Sequence, residues 1–168
     1  MARIVIDATI SLRGKVYCDY LSYGLYDEDR GGERVNAIVQ VVRRHYPDAQ
    51  AAYLFGTYGT QDEWPDSDVD IGLLLPVPSA KKAGSLAMGV CWSELGSLLG
   101  KEVDLINLRR VDTVFQNEIL NNGRELFVGD RKAADEFQLL VMSLYQKLTE
   151  ERAEIVREIE RTGRAYDV

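Results

Sequence analysis

Residues 51–75 decide the reading. They run Ala51-Ala52-Tyr53-Leu54-Phe55, then Gly56-Thr57, then ten residues, then Asp68-Val69-Asp70, then Ile71-Gly72-Leu73-Leu74-Leu75. The two apolar runs have strand length, and the second is apolar almost without a break, which predicts a central strand covered on both faces. Side chains alternate across a strand, so Asp68 and Asp70 share one face. Two carboxylates held together are hard to ionise without a cation nearby. Hard oxygen donors of this kind suit Mg²⁺, which takes one or two carboxylates plus substrate phosphates. Gly56 lets backbone approach a phosphate, N–H groups at such a turn bind anions, and the Thr57 hydroxyl offers one more hydrogen bond.

A third carboxylate stands in Glu102-Val103-Asp104-Leu105-Ile106. Asp104 points opposite to Val103 and Leu105, toward the face of Ile106 and Leu108. If this strand lies beside residues 69–75, three carboxylates converge. Such a set holds two metal ions ~4 Å apart around an in-line displacement at phosphorus. Each element alone has a plainer reading: Pro65-Asp66-Ser67-Asp68 as ordinary turn chemistry, and Asp104 as a solvated strand position. Their coincidence in order and spacing favours the phosphoryl-transfer site.

Working outward, residues 33–46 read as a helix, with Val35, Ile38, Val39 and Val42 on one face and Pro47-Asp48 as the stop. Residues 80–99 read as a second helix, weakened by Gly84, Gly89 and Gly96 and closed by Gly100. A strand over 103–108, a short helix over 113–121 and an edge strand over 124–128 follow. Asp130 is a good N-cap. From there Phe137, Val141, Leu144, Leu148, Ile155 and Ile159 keep helical spacing up to Gly163. About 33 residues at ~1.5 Å each give a helix of roughly 50 Å, longer than a body of this size covers. Its second half is mostly charged, with Glu158 and Arg161 one turn apart. Residues 1–32 are harder to read: 3–10 and 16–23 have the character of short strands, and Asp27-Glu28-Asp29-Arg30-Gly31-Gly32 that of a loop.

The chain has 168 residues, 46% hydrophobic and 28% charged, with a net charge of −7. That suits one soluble domain with a real core. It opposes a general nucleic-acid coat, which needs a basic face, and no apolar run reaches the ~20 residues that span a bilayer. A cytoplasmic protein is expected, with no membrane contact and no direct nucleic-acid binding. Cys18 and Cys91 make no disulfide framework or metal spacing. The single histidine, His45, excludes a histidine-based zinc site and is expected in the last turn of a helix.

On Leu54-Phe55-Gly56-Thr57, Pro65-Asp66-Ser67-Asp68-Val69-Asp70-Ile71 and Val103-Asp104-Leu105, the chain resembles the DNA polymerase β-like nucleotidyltransferase superfamily. The segment from Glu118-Ile119-Leu120-Asn121-Asn122-Gly123-Arg124-Glu125-Leu126-Phe127, with the long helix after it, is similar to the minimal nucleotidyltransferase (MNT) antitoxins. The resemblance implies an α+β fold: a small mixed β-sheet with helices mainly on one face, plus the long C-terminal helix. It implies three segments: an extension over 1–32, a nucleotidyltransferase domain over 33–129, and a helix over 130–164 that meets a partner. It implies ATP as substrate and two Mg²⁺ ions. Asp68, Asp70 and Asp104 would then be the catalytic metal ligands, with Asp104 helping to activate the attacking hydroxyl, and Gly56 and Thr57 would hold the phosphates. The partner implied is a helical HEPN ribonuclease toxin in a hetero-oligomer, whose tyrosine receives AMP. The chain departs from the family at Tyr58, Thr60 and Gln61, where arginines and a glycine are usual, and Asp62 and Glu63 add negative charge. Loss of one charge-assisted phosphate contact weakens ATP binding about tenfold to a hundredfold. Two other readings stand beside this one. The first is an antitoxin that neutralises its toxin by contact alone. The second is nucleotide transfer to a small molecule, for which the chain after residue 130 is short.

Overall fold

The computed structural model describes residues 31–162; the two strands read in residues 3–23 and positions 27–30 of the expected loop lie outside them, while Gly31 and Gly32, expected in that loop, begin the first helix. Helix α1 (Gly31–His45) leads into β1 (Ala51–Phe55), and the loop over 56–68 joins it to β2 (Val69–Leu74). Two short helices, α2 (Val77–Ala83) and α3 (Val90–Leu99), precede β3 (Val103–Asn107). Then come α4 (Thr113–Asn122), β4 (Arg124–Val128) and α5 (Arg131–Thr162). The sheet order is β3-β2-β1-β4. β1 pairs antiparallel with β2 and β4, and β2 pairs parallel with β3. This is the expected α+β class with a mixed sheet and a long terminal helix.

β2 is central, as its apolar run requires, and its side chains feed two cores. On one face Val69, Ile71 and Leu73 meet Ile38 and Val42 of α1 and Cys91 and Leu95 of α3. On the other, Leu74 and Tyr53 meet Leu108, Ile119 of α4, and Ala134, Phe137 and Val141 of α5. The helices are thus divided between both faces rather than gathered mainly on one. The cause lies in β2 itself: a strand with no polar side to its second half needs a cover on each side. Gly72 makes the second cover close, because a Cβ there would lie 3.0 Å from Leu108 Cδ2 and 3.3 Å from Ile119 Cγ2.

Residues 80–99 are two helices, not one. Gly84 and Met88 both adopt positive φ, which stops α2, and Gly89 caps α3. The break leaves Val90 exposed while Leu86 is buried. The caps at Asp130 and Gly100 follow the sequence signals, and the structure adds one at Asp112 that the sequence reading missed. Asp112 Oδ1 accepts from Val114 and Phe115 N–H at 3.0 Å each, Asp130 Oδ1 accepts from Ala133 N–H at 3.0 Å, and Gly100 closes α3 with φ 63°. His45 ends α1 and, with Arg44, shares the Glu94 carboxylate of α3 at 2.6 and 2.5 Å. Cys91 is buried, and burial pushes its thiol up to about 11, which leaves it a packing residue. Among the described residues no helix is long and apolar enough to cross a membrane.

Candidate active site

The strand register assembles the site. Phe55 of β1 stands opposite Asp70 of β2, and Asp70 stands opposite Asp104 of β3. Parallel neighbours lie about 4.8 Å apart, so the two carboxylates rise side by side from one face. Asp68 precedes them by two positions along the same edge. Asp68 and Asp104 are exposed and Asp70 is half-buried. Burial holds the Asp70 carboxyl above the usual carboxylate range, and the charges of Asp104 and Asp68 raise it further. As they stand, the three carboxylates do not enclose a single point at metal-ligand distance among the described residues. Their chemistry nevertheless fits a hard divalent cation: an all-oxygen set in which the central member is charged only against the repulsion of its neighbours.

The glycine turn faces this edge. Gly56 has φ 72°, and a Cβ on it would lie 2.2 Å from Asp70 Oδ2. Only glycine brings the turn this near to the carboxylate. The Thr57 hydroxyl is committed inside the turn, donating to Ser67 Oγ at 3.0 Å. Ser67 Oγ also accepts from Trp64 N–H at 2.9 Å, so the serine's own proton points elsewhere.

The loop that looked unfavourable for phosphates is reorganised. Tyr58, at a usual arginine position, is buried in the core with Leu54. Thr60 closes a turn on the Thr57 carbonyl at 2.7 Å. Glu63 was expected to add negative charge beside the substrate. Instead its carboxylate accepts from Gly59 N–H at 3.0 Å and pairs with Lys101 at 3.3 Å. The guanidinium of Arg124 lies against Gly59, 3.2 Å from the position a Cβ would take. The structure thus brings Asp68, Asp70, Asp104, Gly56 and Thr57 to one edge. Ser67 and Lys101 are the residues at this edge that the sequence reading missed. A hydroxyl directly before Asp-x-Asp was the available signal for the first. For the second it was a lone lysine three residues before Asp104.

A mixed sheet with carboxylates at the start of two parallel strands, facing a glycine turn, defines a nucleotidyltransferase. The chain belongs to the Polymerase beta, Nucleotidyltransferase family, which matches residues 36–132. It is 31% identical to the protein adenylyltransferase MntA of Shewanella oneidensis over 124 residues, 74% of this chain and 86% of that protein. It also resembles a crystal structure of a toxin–antitoxin with AMP-PNP, at TM-score 0.59 and 28% identity, over 75% of this chain and 98% of the other. A structure of tri-AMPylated Shewanella oneidensis HEPN toxin in complex with MNT antitoxin matches at TM-score 0.57 and 28% identity, over 77% and 98%.

Proposed function

We propose that this chain is an antitoxin that transfers AMP from ATP to a tyrosine hydroxyl of a HEPN toxin partner, using Mg²⁺. The observation that carries the reading is the pairing of Asp70 with Asp104 beside the Gly56 turn. Bound Mg²⁺ would supply charge neutralisation for the triphosphate and the departing pyrophosphate. Asp68, Asp70 and Asp104 would hold it. The Gly56-Thr57 backbone would orient the triphosphate by its N–H groups. The acceptor oxygen would then attack the α-phosphorus in line: a new P–O bond forms, the bond from the α-phosphorus to its bridging oxygen breaks, and pyrophosphate leaves. Asp104 is exposed at the mouth of the site and takes the hydroxyl proton.

Two isotope positions test this. With ATP labelled at the α-phosphorus, the partner becomes labelled; with ATP labelled at the γ-phosphorus, it does not. Label from the γ position would make the protein a kinase, and no label from either would leave neutralisation by contact.

The partner surface we assign is α5. Only its first three turns pack on the sheet, through Ala134, Phe137 and Val141. Beyond Val141 the described side chains are exposed apart from Leu148 and Ala153. Leu140 and Leu144 line a cleft of about 570 Å³ together with Val77, Lys81 and Arg110. Truncation after Thr149 removes the outer helix and none of its buried anchors. Complex formation should be lost in size-exclusion chromatography while the melting temperature stays near that of the full chain. An intact complex from the truncated chain would move the interface elsewhere.

A further inference from the structure

The geometry points to Lys101 as a positioning residue that locks the two halves of the active site together; the inference rests on the nucleotidyltransferase reading above. An ammonium has three N–H donors. At Lys101 two go to the Pro65 carbonyl at 2.9 Å and the Ser67 carbonyl at 3.1 Å, and the charge pairs with Glu63 Oε1 at 3.3 Å. The ring of Tyr58 lies 5.7 Å from the same nitrogen, and the side chain is only 16% exposed. A surface lysine usually snorkels toward water; this one turns under the loop.

The three oxygens lead to different parts of the site. Ser67 immediately precedes Asp68, and on its other side Val69 N–H donates to the Glu102 carbonyl at 2.9 Å. Asp68 is therefore held on both flanks by the 101–102 segment that leads into β3, the strand of Asp104. Through Glu63, whose other oxygen accepts from Gly59 N–H, Lys101 also fixes the phosphate turn. Ser67 closes the circuit by accepting from Thr57. One cation thus ties the turn, Asp68 and the Asp104 strand. This is how a loop without the usual arginines keeps its shape. Lysine suits the place better than arginine, because a compact tripod of donors fits three converging oxygens and a planar fork does not.

The test uses the full chain as Lys101→Met, Lys101→Arg and the double variant Lys101→Met/Glu63→Gln, which leaves no unpaired carboxylate. Two readouts are taken: kcat and KM for ATP in partner modification, and amide hydrogen exchange of the nucleotide-free protein. For Lys101→Met we expect KM for ATP to rise about tenfold and kcat to fall about tenfold. Exchange at Gly59 and Trp64 should quicken at least tenfold, with α1 unchanged. Lys101→Arg should lie between it and wild type, and the double variant should not recover. Unchanged exchange in the loop, unchanged kinetic constants in the folded variant, or full recovery in the double variant would overturn the proposal. Absence of AMP transfer by wild-type protein would overturn the functional reading instead, and the exchange data would still decide the role of Lys101.

Discussion

Asp70→Asn should abolish AMP transfer and, in the same protein, raise the melting temperature measured in EDTA. The catalytic loss follows from removing the central carboxylate of the set: a metal site that supplies ~4 kcal/mol of transition-state stabilisation corresponds to about a thousandfold in rate. The stability gain follows from the sign of the Asp70 shift. Burial, then Asp104, then Asp68 raise its folded-state pKa above the unfolded value. A raised carboxyl contributes stability at pH below its unfolded value, and that contribution is lost as pH rises through the folded value. At neutral pH the ionised side chain therefore works against the fold, and asparagine removes that penalty. Mg²⁺ should reverse the order by stabilising wild type and leaving Asp70→Asn unmoved, since a ligand stabilises only the form that binds it. Thermal unfolding with EDTA and with Mg²⁺ checks both signs. A variant that melts below wild type in EDTA would mean that Asp70 is a structural residue.

Gly56→Ala should have the second large effect, and by a different route. The methyl would lie 2.2 Å from Asp70 Oδ2, on a residue whose φ is 72°. The left-handed backbone alone costs about 1–2 kcal/mol for a residue with a Cβ. The clash adds a choice between moving the turn and moving Asp70, and either separates the amides proposed to bind phosphate from the carboxylate proposed to bind metal. Since a misplacement of ~1 Å in a reacting constellation costs about a hundredfold, activity should fall by at least that factor. The fold should survive, because Gly56 is exposed and outside both cores. The kinetic constants, with circular dichroism for the fold, decide it. Wild-type turnover in Gly56→Ala would show that the turn does not face the substrate.

Most of the fold was legible because it rests on local signals. The strand at Ala51–Phe55, the cap at Asp130 and the stop at Gly100 each act over a few residues. So does the alternation that sets Asp68 and Asp70 on one face. The third carboxylate was legible too, given one assumption about which strand neighbours β2, and the register Asp70 to Asp104 satisfies it. What failed was long-range. A single helix over 80–99 was expected, with Leu86, Val90 and Leu95 among its apolar positions, yet Met88 at positive φ breaks it. Helices on one face were expected although β2's own sequence required two covers. The loop was read as electrostatically hostile because a sequence shows that Glu63 is acidic, and does not show that Lys101, 38 positions later, turns back to meet it. Charges in sequence are not charges in the site until their partners are known.

The most direct test is the intact mass of the toxin partner after co-incubation with ATP and Mg²⁺ in the presence of wild-type chain and of Asp68→Asn/Asp70→Asn. Wild type should add whole AMP increments, located by fragmentation on tyrosine. The double variant should bind the partner and add none. Equal modification by both would contradict the account, because the paired carboxylates would then not be the catalytic centre.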